Sequence, residues 1–95
     1  MLIPKQNRVK DEKYLNTVRG KPCMVCRRAG EAHHLQFAEK RGVGYKTGDN
    51  WVVPLCRDCH IDLHAYGNER VWWALNGVDA KEWAHMNWQK YGEIK

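Results

Sequence analysis

Two C-x-x-C pairs, Cys23/Cys26 and Cys56/Cys59, constrain this chain more than any other feature. A two-residue gap lets both sulfurs of a pair point at one ion. Two such pairs complete the tetrahedral four-cysteine shell that zinc takes in closed structural sites. An iron–sulfur cluster, also held by four Cys, is the rival occupant. The need for a metal follows from size. A chain of 95 residues makes one small domain and buries only roughly 60–65% of its unfolded surface. Binding of zinc by a small peptide is worth about 10–16 kcal/mol in apparent terms, and that energy becomes folding energy.

Where the chain is expected to work bears on the cysteines. The run from Trp51 to Cys56 is interrupted by Pro54 and is far too short to span a bilayer. The opening MLIPKQNRVK lacks the apolar stretch of a signal peptide. These features predict a cytoplasmic protein with no membrane partner, in which thiolate ligands are expected rather than disulfides. Charge is uneven. Residues 1–50 carry 11 basic and 5 acidic side chains, against 5 and 6 in residues 51–95. A basic first half suits an anionic partner such as nucleic acid, although it also serves solubility.

Periodicity predicts an α+β chain. After an extended basic arm, Tyr14, Leu15 and Val18 have helical spacing within 11–19, and Gly20 and Pro22 end that helix. Residues 23–30 read as a tight metal-binding turn, 31–37 as a strand, and the Gly-rich stretch 38–50 as a loop. Trp51–Leu55 is a second strand, and a helix over 57–66 stops at Gly67. Asn68 caps a further helix to Leu75. Asp79 and Glu82 form a capping-box-like start for a last helix to about Tyr91. In it Ala80, Trp83, Ala84, Trp88 and Tyr91 share one face, expected to join the core. Trp72 and Trp73 are adjacent and therefore point to different sides.

If four Cys close one shell, the histidines are left for other work. His33 and His34 are neighbours in a predicted strand and so face opposite ways. His60 and His64 are four apart in a predicted helix and share a face. One strand His can join that pair around a second metal, leaving the other to act as a base. Two plainer readings stay open: satisfied surface imidazoles, or His60 replacing a Cys at the zinc. His85 is expected to pack or to lie on the surface.

The segments C-M-V-C, E-A-H-H-L and D-N-W-V-V-P-L-C-R-D-C-H, with His64 one helical turn further on, resemble the HNH endonuclease family in its ββα-metal form, built on a zinc-bound treble clef. The resemblance covers about residues 23–64. More narrowly, the basic arm, the W-V-V-P-L-C strand and the Trp-rich end are similar to short nuclease-like proteins of lambdoid prophages, which implies a bacterial or phage-encoded origin. The implied fold is a small treble-clef/ββα-metal domain, with a two-stranded hairpin, a following helix, and flanking N- and C-terminal helices. The implied organisation is one nuclease domain over 1–95: a basic arm and helix (1–22), a metal core (23–66) and a helical extension (67–95).

Position by position, the resemblance implies that His34 is the general base. Asn50 braces the loop between the strands and helps hold that base. His60 is a catalytic residue and metal ligand, His33 a second ligand, and His64 a third ligand or a phosphate contact. Cys23, Cys26, Cys56 and Cys59 hold a structural Zn2+. A catalytic divalent ion, Mg2+, Mn2+, Ni2+ or Zn2+, completes the cofactors. Three imidazoles favour Mn, Co, Ni or Zn over Mg, which prefers oxygen. DNA is the implied partner, with phosphate contacts from Arg27, Arg28, Lys40, Arg41 and Lys46.

The chemistry agrees with these roles. Phosphodiester hydrolysis needs a deprotonated water, and a His with a pKa of about 6.5 suits that task. It also needs a cation at the leaving oxygen. The alternative is a zinc-stabilised DNA-binding module without catalysis. One active site makes one nick, so both a monomer and a homodimer fit the sequence.

Overall fold

Short polar side chains start the helices. In the computed structural model, which describes residues 9–38 and 47–94, the Asp11 carboxylate accepts the Tyr14 amide and opens α1 (Glu12–Val18). Asn68 does the same for α3 (Glu69–Leu75) through the Val71 amide. The sulfur of Cys56 caps α2 (Arg57–Tyr66). Asp79 accepts the Glu82 amide at the start of α4 (Ala80–Ile94). Gly67, at φ 91°, takes the left-handed turn that ends α2 and reverses the chain into α3.

Between α1 and α2 lies an antiparallel hairpin of β1 (Glu31–His34) and β2 (Val52–Leu55). Its register pairs Glu31 with Leu55, Ala32 with Pro54, His33 with Val53 and His34 with Val52. Period-two alternation then divides the molecule. Val53 and Leu55 face a core of Cys23, Leu35, Leu63, Trp72, Trp73, Ala80 and Ala84. Val52 and Ala32 join a smaller core of Tyr14, Leu15 and Val18, against which Trp88 and Tyr91 pack. Helix α4 therefore serves both cores, its first turns on one and its later turns on the other. Tyr14 is fully buried. Its ring meets Trp88 edge-on at 4.8 Å, and its hydroxyl accepts from Asn87 at 2.9 Å.

The predicted α+β class, with a hairpin, a following helix and flanking N- and C-terminal helices, is the fold observed. Two boundaries differ by more than one residue. β1 ends at His34 rather than Phe37, because a turn closed by the Ala38 amide on the Leu35 carbonyl follows at once. α4 continues to Ile94. Trp72 and Trp73, although adjacent, are both buried, at 3% and 2% exposure. Their indole N–H groups donate to Asp62 and Glu69, which makes burial affordable for each. No helix among the described residues is long and apolar enough to cross a membrane.

Candidate functional site

The cysteine cluster is assembled by two tight backbone features. Residues 22 and 29 form an isolated antiparallel bridge. Within it, the Cys23 amide donates to the Arg28 carbonyl and the Arg27 amide to the Cys23 carbonyl. Arg27 sits at φ 71°, a left-handed conformation unusual for a side chain of this size. The Met24 amide docks this knuckle on β2 through the Pro54 carbonyl at 3.1 Å. Gly30 is required beside it, since a Cβ there would lie 2.9 Å from both the Leu55 nitrogen and the Pro54 Cβ. The second pair lies at the start of α2, where the Cys56 sulfur accepts the Cys59 amide at 3.4 Å.

All four sulfurs lie within 4.8 Å of one another. A tetrahedral zinc with bonds of about 2.3 Å separates its sulfurs by about 3.8 Å, so the donor set fits such an ion. The thiols are electrostatically unequal. Burial opposes ionisation of Cys23, but hydrogen bonds from backbone at Cys26, Cys56 and Val25 outweigh it and bring its pKa down to about 6. At Cys26 the backbone at Arg28 favours the thiolate, yet the Cys56 thiol and burial together push the pKa up. Burial, then the sulfurs of Cys56, Cys26 and Cys23, raises Cys59 strongly. One negative charge is welcome here and four are not, until a dication joins them. The four cysteines could hold a metal ion such as zinc.

The hairpin sends the two adjacent histidines to opposite faces, as alternation predicts. His33 is buried at 7% exposure, and its ring lies 4.9 Å from that of His60. His60 and His64, one turn apart on α2, bring their Nε2 atoms to 2.9 Å. Two nitrogens bound at right angles to one ion at about 2.1 Å would stand about 3.0 Å apart, so this pair suits a shared cation. Burial lowers the pKa of His60, and the neighbouring His33 and His64 lower it further. A neutral imidazole is the form that binds metal. The three rings are gathered, but their nitrogens do not converge as the sulfurs do. Among the described residues, the four cysteines are the group of three or more donors close enough together to share one ion.

Two carboxylates missed in the sequence hold the strand histidines. His33 Nε2 lies 2.8 Å from Glu69 Oε2. Glu69 also accepts from the Trp73 indole at 3.0 Å and the Gln36 amide at 3.2 Å. Burial works against the Glu69 charge, but these hydrogen bonds outweigh it and hold the carboxyl below its usual pKa. On the other face, His34 Nε2 lies 2.8 Å from Asp49 Oδ1. Asp49 is 5% exposed, and its second oxygen accepts the Asp11 amide at 2.8 Å.

The carboxylate in contact with His34 thus belongs to Asp49, the neighbour of Asn50. The Asn50 Oδ1 is buried with no hydrogen-bond partner among the described residues and packs close to Gly48, where a Cβ would come within 2.5 Å of it. The signal for Asp49 lay in the register: Val52 opposes His34, so the residues just before β2 must pass beside that ring. Glu69 had a weaker one, a first-turn carboxylate brought back over β1 by the Gly67 turn.

Of the basic side chains, Arg27 and Arg28 are exposed on the knuckle. Arg28 pairs with Asp58 of α2 at 2.6 Å. Lys40, Arg41 and Lys46 lie outside the described residues. His85 is exposed and stacks on Trp51 at 6.3 Å.

Comparison with known proteins supplies a family. The chain is 42% identical over 65 residues to the uncharacterized protein YdfU of Escherichia coli (strain K12). That match covers 67% of this chain but 19% of YdfU, so the chain spans about a fifth of its relative's length. No solved structure matches. A family described as protein of unknown function (DUF968) matches residues 1–87, and the chain belongs to that family.

Proposed function

We propose that this chain is a metal-dependent endonuclease of HNH type, hydrolysing DNA phosphodiester bonds around a structural zinc held by the four cysteines. The observation that carries the reading is the division of labour on β1. His33 joins His60 and His64 on one face, while the next residue, His34, is backed by a buried carboxylate on the other. A zinc-stabilised binding module has no use for that arrangement.

In this reading His34 takes the proton of the attacking water. The Asp49 carboxylate stabilises the imidazolium that results, as acidic partners of catalytic histidines do. His33, His60 and His64 would hold the divalent ion, which supplies positive charge at the phosphoryl and leaving oxygens. Burial and mutual repulsion keep His60 neutral for that purpose. The basic residues Arg27, Arg28, Lys40, Arg41 and Lys46 contribute affinity without sequence information.

Incubation of zinc-loaded protein with supercoiled plasmid, single-stranded and branched DNA, across Mg2+, Mn2+, Co2+ and Ni2+, tests the activity. Nicking that depends on the added ion and on His34 supports it. Absence of cleavage on every substrate sinks it. One observation favours the second reading, a DNA-binding zinc module: the imidazole nitrogens do not converge among the described residues. One tightly held ion per chain, with no exchangeable second ion, would select that reading. In both readings, alanine at Lys40, Arg41 and Lys46 weakens DNA binding on all sequences alike and flattens its salt dependence. An unchanged slope would place the loop away from the DNA.

A further inference from the structure

Three arginines on the described surface are paired: Arg19 with Glu12, Arg28 with Asp58 and Arg57 with Glu31. The side chains of Lys21 and Arg27 make no ion pair or hydrogen bond among the described residues. Both line one cleft of about 330 Å³ between the cysteine knuckle and α4, with Pro22, Met24 and the half-buried Trp83 as its apolar wall. No carboxylate among the described residues lines it. Met24 and Trp83 also line the cleft next to it, where Asp79 and Glu82 stand with Lys90. An anion is therefore favoured on the Lys21 and Arg27 side of the indole and opposed on the other. Arg27 holds φ 71°, where glycine is the residue free of strain. Strain kept at an exposed cation points to a use for its side chain.

We infer that this cleft binds one unpaired nucleotide of a DNA strand, its phosphate held by Lys21 and Arg27 and its base laid against Trp83. The inference rests on the DNA binding common to both readings above, and adds the form of the DNA. The volume lies at the small end of the roughly 300–1,000 Å³ of small-ligand sites, which suits one nucleotide. A phosphate alone has no use for the apolar wall. A base in a duplex has both faces covered by its neighbours, so an unstacked base is the one that offers a face to an indole. Stacking of this kind tolerates any sequence, because every base has a π-face.

The experiment uses the full zinc-loaded chain with no other divalent ion added, so that binding is read apart from cleavage. Fluorescence anisotropy follows a mixed-sequence single strand, its duplex, and an abasic strand of the same length. The wild type should prefer the single strand to the duplex and bind the abasic strand roughly 5–150-fold more weakly, the worth of one stacked base. Trp83→Leu should lose affinity for the normal strand by a similar factor with its salt slope unchanged, and Trp83→Phe, which keeps a ring, should retain most of it. Lys21→Ala and Arg27→Gly should each flatten the slope of log affinity against log salt by about 0.7, the single-strand value for one phosphate contact. Arg27→Gly should also melt no lower than wild type. The abasic comparison needs no variant, so it decides the matter should Trp83→Leu fail to fold. Equal wild-type affinity for normal and abasic strands would overturn the inference, as would unchanged salt slopes in both cation variants, and either result leaves the nuclease reading standing. A wild type that binds no DNA of any form would overturn both. Single-strand binding as described, with no cleavage under any metal, would support the inference and sink the nuclease reading alone.

Discussion

The four sulfurs and the three clustered imidazoles differ in how far the fold alone brings their donor atoms together. The sulfurs ride on short side chains, and two backbone features aim them: a knuckle tied by the Cys23, Arg27 and Met24 amides, and the first turn of α2. Their convergence is decided by main-chain hydrogen bonds. The imidazoles ride on longer side chains from a strand and a helix. Two of them touch each other through Nε2 atoms 2.9 Å apart, while the third gives its Nε2 to Glu69. Closed structural sites need preformed geometry, and exchangeable ones need access and neutral ligands.

The largest expected effect breaks the preformed side. Cys59→Ser removes one ligand of four and should lose zinc and fold together, since the metal supplies about 10–16 kcal/mol of apparent folding energy. Zinc analysis with thermal melting by circular dichroism checks it. Wild-type melting of a zinc-free variant would mean that the hairpin and its two cores suffice.

Next come the two strand faces. His34→Ala should cut cleavage by roughly 10²–10⁴-fold, the contribution of a general base, while second-site metal binding stays near wild type. His60→Ala should lose both, because His60 is the middle ring of the three. Calorimetric titration alongside plasmid nicking separates the variants. Loss of the second ion in His34→Ala, with none in His33→Ala, would exchange base and ligand.

A smaller effect sharpens the choice between Asp49 and Asn50. Asp49→Asn should lower cleavage by roughly 10–100-fold, as the loss of an orienting partner commonly does. Asn50→Ala, which removes an oxygen without a partner among the described residues, should stay closer to wild type. The reverse order of rates would restore Asn50 to the role first expected of it. The smallest effect returns to the cysteine side. Arg28→Ala cuts an exposed ion pair between knuckle and α2 and should cost less than about 1 kcal/mol of stability, read as a small shift in melting temperature. A cost several times larger would show that the knuckle leans on that pair.

Most of the fold was legible because its signals are local. Asp11, Cys56, Asn68 and Asp79 stand at helix starts, and Gly67 marks a left-handed stop. The cysteine cluster was legible for the same reason, two short gaps in sequence. Opposite faces for His33 and His34 followed from strand alternation. The carboxylates behind them did not, because Asp49 is 15 residues from His34 and Glu69 is 36 from His33. Contacts of that span depend on how α3 folds back and where the hairpin closes.

The narrow hairpin has a consequence for how such a site can change over time. Because neighbouring strand residues face opposite cores, the two histidines are told apart only by their count from Gly30, which is wedged against Pro54 and Leu55. Losing Ala32 by deletion would preserve every functional side chain and still shift each by one register position, putting His34 where His33 now stands, beside Glu69, and His33 on the opposite face in the place of Ala32. The site tolerates drift in what surrounds the two histidines more readily than any change in the length of the two-residue stretch, Glu31 and Ala32, that counts them into place.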